Sequence, residues 1–514
     1  IRVQAGARWG LIDERLEGTG LALPVVPSSR YSTVGGWIAT GGLGLHSLRR
    51  GHVKNWIKEM EVVSPGVGIH TLRPEDPDFE LFFGTEGQIG FITWVTIKLV
   101  RRESSLYPHL VYFSDTKSSF TFAGKMLKAG IVPLHMKFRS ALLNGETIKA
   151  RKTRKHDFPG LLESRDSLLF CFTGEDEDES YNKWLSSLPP DPSRSEAPEY
   201  VARWLWFERY SPLKIQILGP SLLASEVILP TNRASEYLRH ANRLAGHYKI
   251  QLLPEIHFVT ADSKPQVLVM LMFNCDRRKI FQYYAYLSLV PMFTRLGIKL
   301  GGSPYGIGIW NVPFFSSAFK KAQTERILEG KRLHDPDGII NPRKFLSIKS
   351  RFLNLPAKLF HPIFFNVSME LLYLLSPVIG RLLRPLGLQL SKEKDILEIA
   401  PFACTSCGNC ISVCTACRVT RNEITAPRAK LSLARRILRG KSISQQQAKS
   451  IYYCTRCGKC EEVCQALLPL RDVWVSLENK IRDQYPYPED EIKSFVDSLG
   501  ENQQFLEMIK SEPY

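Results

Sequence analysis

Outside one short region the chain has almost no cysteine: of 11 in 514 residues, only Cys171 and Cys275 lie beyond the stretch from Cys404 to Cys464. A disulfide framework would spread its cysteines, so the clustering points instead to thiol ligation in a reducing, cytoplasmic setting. Long apolar runs are also missing. The longest, Ile363 to Gly380, is broken by Asn366, Glu370 and Pro377, a poor match to a transmembrane helix. No leader pattern and no initiator methionine open the chain; Ile1 to Gly10 read as a strand and turn of a domain whose first part is expected to be missing. Acid is scarce relative to base, 51 residues against 68, and the net charge of +17 suits an anionic partner such as a membrane surface, an acidic protein or an acidic substrate. A nucleic acid is not expected among the partners. With 44% hydrophobic and 23% charged residues the chain is too apolar for disorder, and its length allows two or three domains.

The cysteines that are present carry the strongest signal. Cys404, Cys407, Cys410 and Cys414 are spaced C-x2-C-x2-C-x3-C, and Cys454, Cys457, Cys460 and Cys464 repeat that spacing. Three thiolates at two-residue gaps curl around one corner of a cubane, while the fourth reaches a second cubane. Zinc needs only two close pairs, so the third close cysteine and the duplication both favour two [4Fe–4S] clusters. The crossing assigns Cys404, Cys407, Cys410 and Cys464 to one cluster, and Cys454, Cys457, Cys460 and Cys414 to the other. Cys417 is left as a packed bystander. Thr415 and Gln465 stand where ferredoxins usually have proline. Between the motifs, Arg418 to Lys459 hold eleven basic residues and one acid, Glu423. A helix over 427–439, with proline at its first position and Gly440 as its stop, is expected to carry most of them. Its basic face either guides an acidic electron partner or is merely solvated.

Clusters relay single electrons, so a source of electron pairs is expected upstream. PSSRYSTVGGWIATGGLGLHSLRRG (Pro27 to Gly51) and GTEGQIGFITWVTIKL (Gly84 to Leu99) supply glycine-rich turns beside hydroxyl donors. In order and separation they resemble the flavin-binding domain of the vanillyl-alcohol oxidase superfamily, the FAD-linked oxidases that include glycolate oxidase and D-lactate dehydrogenase. LHDPDGIINPRKF (Leu333 to Phe345) is similar to that family's closing segment, so the resemblance covers about the first 350 residues. It implies FAD and a cofactor site drawn from Pro27, Ser28, Ser29, Thr33, Gly35, Gly36, Gly44, Gly84, Glu86, Gly87, Gly90 and Ile92. The family's other pyrophosphate loop is not in this sequence, so weak FAD binding is expected of the chain as it stands.

The fold class expected is α+β, in five parts. Residues 1–103 form the second half of a PCMH-type FAD-binding domain, and Met60 to Leu72 form a hairpin around Ser64-Pro65-Gly66. Residues 104–350 form a cap and substrate domain. Within it, 226–303 read strand, helix, two strands, helix, strand, a ferredoxin-like order, with Thr231 capping a helix that buries Tyr237, Leu238, Ala241 and Leu244. Residues 351–395 are an apolar linker helix packed on the domains, or an interfacial helix touching a bilayer. Residues 396–480 are a mainly α-helical dicluster domain, and 481–514 a helical tail.

The hydroxy-acid members of the family hold a metal with histidines and a glutamate, in GHxGDGNxH and GG-x-x-x-EHG-x-G segments. This chain has PEIHFVTADSKP and GGSPYGIG there, so Pro304-Tyr305 replace Glu-His and His257 is the single remnant. The metal is expected to be lost. Tyr305 is then a candidate donor or, as phenolate, a candidate base, and Arg203 or Arg209, near Trp204 and Trp206, a candidate carboxylate fork. The expected function is a dehydrogenase that oxidises a small organic hydroxyl acid at FAD. Electrons then pass through both clusters to a redox protein or a subunit bearing the CCG domains that this chain lacks, with peripheral membrane contact left open. The alternative is an electron-transfer subunit with a degenerate flavin site.

Overall fold

The computed structural model describes residues 1–103, 105–154, 160–210, 212–261, 263–342, 344–346, 362–383 and 396–501. It is an α+β fold. Near the N-terminus a four-stranded antiparallel sheet runs in the order Arg2–Gln4, Phe91–Ile97, Ile57–Ser64, Gly68–Leu72. The hairpin forms where turn chemistry puts it, with Met60 opposite Leu72 and Ser64 opposite Gly68. Gly66 in that turn is small for a reason outside the turn: a Cβ there would meet the carbonyl oxygen of Leu333 at 2.1 Å. The chain thus returns to its first core after the cap. Ile307, Val312, Ile327 and Phe345 pack with Trp9, Ile38 and Val95, and Asn341 Nδ2 donates to the carbonyls of Glu86 and Gly87 at 3.2 and 3.0 Å.

The cap is built on one eight-stranded antiparallel sheet. Its second half follows the expected order: Ser221–Pro230, the helix Ala234–His247, Leu253–Ala261, Lys264–Cys275, the helix Leu289–Lys299 and the short edge Ser303–Pro304. Its first half repeats the plan with Tyr107–Phe113, His135–Arg139, Asp166–Phe172 and Arg194–Glu196. The two ferredoxin-like units join edge to edge, Glu255 opposite Arg139 and His257 opposite Lys137. Helix Ala234–His247 buries Tyr237, Leu238, Ala241 and Leu244 on one face as its 3.6-residue period requires. Thr231, however, does not cap it: Thr231–Arg233 form a 3₁₀ turn, the Thr231 hydroxyl has no partner, and the helix starts three residues later.

Helix Pro362–Leu383 packs on the cap, with Phe365 and Met369 in its core, Tyr248 OH bonded to Ser376 Oγ at 3.3 Å, and Glu370 paired to Arg295 and Lys299. A Cβ on Gly380 would meet the His247 carbonyl at 2.0 Å, so this helix lies tight on its neighbour. The rest of the expected linker lies outside the described residues. In the C-terminal domain, helices Ile396–Ala403, Pro427–Leu438, Gln445–Tyr452 and Leu470–Ile481 enclose Leu431, Ile451, Trp474 and Leu477. Pro427 stands at the first helical position and Gly440, at φ 68°, follows the end, as the sequence predicts. Helix Glu489–Glu501 of the tail lays Phe495 and Leu499 on Ala416. Among the described residues no helix is long and apolar enough to cross a membrane.

Candidate flavin site and cysteine centre

The two cysteine motifs fold into the same loop. Each has a left-handed residue two places after its first cysteine, Ser406 at φ 59° and Arg456 at φ 55°, and a left-handed glycine two places further, Gly408 and Gly458. In each the second-place N–H donates to the first sulfur at 3.4 Å, Ser406 to Cys404 and Arg456 to Cys454. The sulfurs then sort across the motifs. Cys464 lies close to Cys404 and Cys407, and Cys410 close to all three. Cys414, Cys454, Cys457 and Cys460 wall one pocket together with the buried Lys430. Cys417, on the helix Thr415–Thr420, is not part of that wall.

Burial pushes the Cys410 thiol up to about 12 and the Cys464 thiol up to about 11, and the neighbouring thiols push the same way. Four thiolates therefore gather there only around a cation. No three His, Cys, Asp or Glu side chains among the described residues are drawn together tightly enough for a single ion. An iron–sulfur cubane spreads its ligands wider, over four corners, and this donor set fits it.

The glycine-rich segment lies against this domain. Ser29 Oγ accepts a hydrogen bond of 2.6 Å from Gln465 Nε2, and Arg8 donates to Ser412 Oγ. Gln465 directly follows Cys464, at the place where ferredoxins usually carry proline. A cavity of about 1020 Å³ opens here between Arg30 and Tyr31 of the segment, Trp206 and Arg209 of the cap, and Cys457 and Cys464. On the segment's other flank a cavity of about 530 Å³ is walled by Gly41, His52, Gly84 and Tyr305. Gly41, at φ 132°, and Gly84, at φ 70°, hold this wall in a conformation that other residues rarely adopt, and the Tyr305 ring packs 3.2 Å from where a Gly41 Cβ would stand. These two cavities and that backbone fit a flavin nucleotide.

Several residues expected to touch the cofactor also pack against the chain itself. The space beside Gly35 is filled by Ala5, where a Cβ would come within 2.6 Å, and that beside Gly44 by the Val26 carbonyl at 2.5 Å. Likewise Gly90 is held against the Val63 carbonyl at 2.7 Å. The Glu86 carboxylate accepts from the N–H groups of Ile307 and Gly308 at 2.7 and 2.9 Å, tying two loops together. Ile92 sits in the sheet opposite Val62. Pro27 is buried, Ser28 partly so, and Thr33 and Gly36 are on the surface. Gly87, at φ 70°, faces Asn341. Gly41 was not among the expected residues, though it stands inside the quoted segment.

Tyr305 and Arg209 do not share a cavity. The Tyr305 hydroxyl donates to the Leu43 carbonyl at 2.9 Å, and burial, with Glu226 adding, holds the phenol well above its ordinary value, so it keeps its proton. That is a donor's setting and opposes the phenolate role. The Arg209 guanidinium is stacked between the rings of Trp206 and Tyr210, at 4.3 and 4.4 Å. Arg203 is turned away to Glu199. Behind Trp206 lies a buried polar cluster that the sequence did not reveal. Glu255 accepts from Arg139 Nη1 at 2.7 Å and stands 3.4 Å from Lys137 Nζ and 3.3 Å from His257 Nε2. His257 Nδ1 in turn is 3.3 Å from His135 Nε2, and His135 Nδ1 accepts from the backbone N–H of His46 in the glycine-rich segment. Burial, then the charges of Arg209 and Arg50, push His46 down to about 3; burial and the neighbouring His257 push His135 the same way. Burial pushes Lys137 down to about 8. Burial opposes ionisation of Glu255, but Lys137, His257 and Arg139 outweigh it and keep the carboxylate charged.

Comparison with known proteins agrees with this geometry. Residues 1–72 match a family model described as FAD binding domain, and 402–468 one described as 4Fe-4S dicluster domain. The molecule is therefore an oxidoreductase with a flavin-binding and an iron–sulfur part in one chain. Over its first two thirds it is similar to proteins named as D-lactate dehydrogenase and glycolate oxidase subunit. Its relatives include a D-lactate dehydrogenase of Archaeoglobus fulgidus, 25% identical over 355 residues covering 66% of this chain and 75% of that protein. The glycolate oxidase subunit GlcD of Bacillus subtilis is 23% identical, covering 65% and 73%. In fold the chain is similar to a solved alkyldihydroxyacetonephosphate synthase, with a TM-score of 0.50, 18% identity, and coverage of 67% of this chain and 64% of that one.

Proposed function

We propose that the protein oxidises a small 2-hydroxy acid or a close analogue at FAD and passes the electrons singly through two [4Fe–4S] clusters to a partner, either a redox protein or a CCG-domain subunit. The observation that carries this reading is the contact between Gln465 and Ser29, which seats the Cys404, Cys407, Cys410 and Cys464 group against the candidate flavin segment. Bound FAD would accept hydride and release single electrons to the clusters. The chain's own residues do the rest. Arg209, stacked between two aromatic rings on the wall of the larger cavity, is the candidate partner of a substrate carboxylate, with its Nη groups also donating to the Trp206 carbonyl and the Tyr210 hydroxyl. His135, whose Nδ1 accepts from the His46 N–H and whose Nε2 faces His257, ties the buried cluster behind Trp206 to the glycine-rich segment and so positions the cavity wall. Tyr305 acts as a positioning residue that holds the Gly41–Leu43 turn.

The alternative, an electron-transfer subunit without substrate chemistry, draws on the complete burial of His135 and Glu255. Anaerobic titration of the complete holoprotein with 2-hydroxy acids separates the two, because only an enzyme bleaches its own flavin. The proposal also places the protein in a reducing compartment at the membrane surface. Helix Pro362–Leu383 supports this, since Val367, Leu371, Leu374, Val378 and Leu382 are each more than half exposed along one face. Co-sedimentation with anionic vesicles, lost in Leu371→Glu/Leu374→Glu, is the expected result. Equal pelleting by that variant would remove the membrane from the account.

A further inference from the structure

Where the cap meets the helix Pro427–Leu438, a cleft of about 360 Å³ is lined by Arg277, Ser432, Arg435, Arg436, Arg439 and Lys441. Five of these six side chains are cationic, and none of the five has a carboxylate partner among the described residues. Arg277 and Arg439 lie near enough to Arg435 to repel its charge. The nearby acids do not relieve this: Asp276 is committed to Arg278 at 3.0 Å, and Glu398 walls the adjoining cavity. Arg277 reaches the Cys404 carbonyl with one Nη at 3.5 Å, while its buried Nε has no hydrogen-bond partner. A solvated basic helix face turns its charges outward and apart. Here the half-buried Arg277 and Arg435 and the exposed Arg436, Arg439 and Lys441 border one concave space of the size that small ligands occupy, about 300–1,000 Å³, with Arg436 also donating to the Ser442 carbonyl at 3.0 Å and Cys404 near enough to attract Arg435.

We propose that this cleft is a binding site for a compact polyanion carrying two or more phosphate groups. Guanidinium forks match phosphate oxygens two at a time, and four arginines around one cleft can engage two phosphates together. The small volume and the concave shape favour such a ligand over the flat acidic face of a protein. The site is separate from the candidate flavin cavities, whose walls share none of these residues.

The test is calorimetric titration of the holoprotein with inorganic pyrophosphate at low ionic strength, which reads binding without reference to flavin chemistry. One saturable site is expected, weakened at least tenfold in Arg435→Gln/Arg439→Gln and several-fold in Lys441→Gln. Lys441 is exposed, so its replacement should leave Tm unchanged and guards against a variant that merely misfolds. Absence of saturable binding, or equal affinity in the Lys441→Gln protein and the parent, would overturn the proposal. Tighter binding of a poly-glutamate peptide than of pyrophosphate, lost in the same variants, would also overturn it, in favour of an acidic protein.

Discussion

The two cysteine groups share one spacing and one loop conformation but have different walls. The group of Cys404, Cys407, Cys410 and Cys464 looks outward, toward Tyr31 and Ser29 of the glycine-rich segment and toward Arg277. The group of Cys414, Cys454, Cys457 and Cys460 gathers by Lys430, whose Nζ donates to the Tyr453 carbonyl and lies 5.7 Å from the Trp474 ring, and of this group Cys457 also borders the larger cavity. Identical ligand sets therefore meet different electrostatics. Under the proposed assignment, spacing selects the sulfurs, while tertiary neighbours would select where electrons enter and how strongly each site holds them.

The largest test breaks the assignment of the groups themselves. Cys414→Ser should cost about half the iron of a protein that holds about eight atoms, whereas Cys417→Ser should cost none. Iron loss in the Cys417 variant, measured by atomic emission, would redraw the groups. Next, Ser29→Ala/Gln465→Ala should leave iron content intact but slow cluster reduction by substrate roughly fivefold, as expected when a docking hydrogen bond is lost. Flavin reduction should be unchanged in the same stopped-flow traces. An unaltered cluster phase would mean that the contact does not seat the domain.

Two buried lysines sharpen the contrast further. Lys137 stands beside Glu255 and Arg139, away from both cysteine motifs, and burial holds its folded value at about 8, below the ordinary 10.5. Between those pH values the unfolded chain holds a proton that the folded chain has released, so stability should rise with pH through that window, by on the order of 3 kcal/mol at most. Denaturant melts at pH 7.5 and pH 10 should show the rise in the parent, and Lys137→Met should flatten it. Lys430 faces thiols and should act on potential instead. Lys430→Met should lower the potential of its own group by on the order of tens of millivolts and leave the other group in place, in a mediated EPR titration. Equal shifts in both groups would deny the difference in their surroundings.

What was legible from the sequence follows from the distance over which each feature is encoded. The candidate cluster cysteines sit within eleven residues of one another in each motif, so their spacing is a local feature of the sequence. The helix of residues 234–247 and its buried face were likewise readable from a local period. The cap's first ferredoxin-like unit was not, because its extra helix Ala141–Arg154 interrupts the order and both faces of its strands are buried, which erases alternation. The Glu255 cluster escaped for a similar reason: Arg139 lies 116 residues away and strand pairing alone joins them. Ser29 and Gln465 are 436 residues apart. The one local hint was the missing proline after Cys464, a departure from pattern that turns out to mark the docking contact.

The central claim is that flavin and clusters work as one chain of carriers within this protein. Anaerobic stopped-flow of the complete holoprotein with D-lactate or glycolate tests it most directly, with flavin followed by its visible absorbance and the clusters by freeze-quench EPR. The account predicts flavin bleaching first, then cluster reduction at a rate independent of protein concentration. Cluster reduction that accelerates with protein concentration, or clusters that stay oxidised beside a reduced flavin, would contradict it.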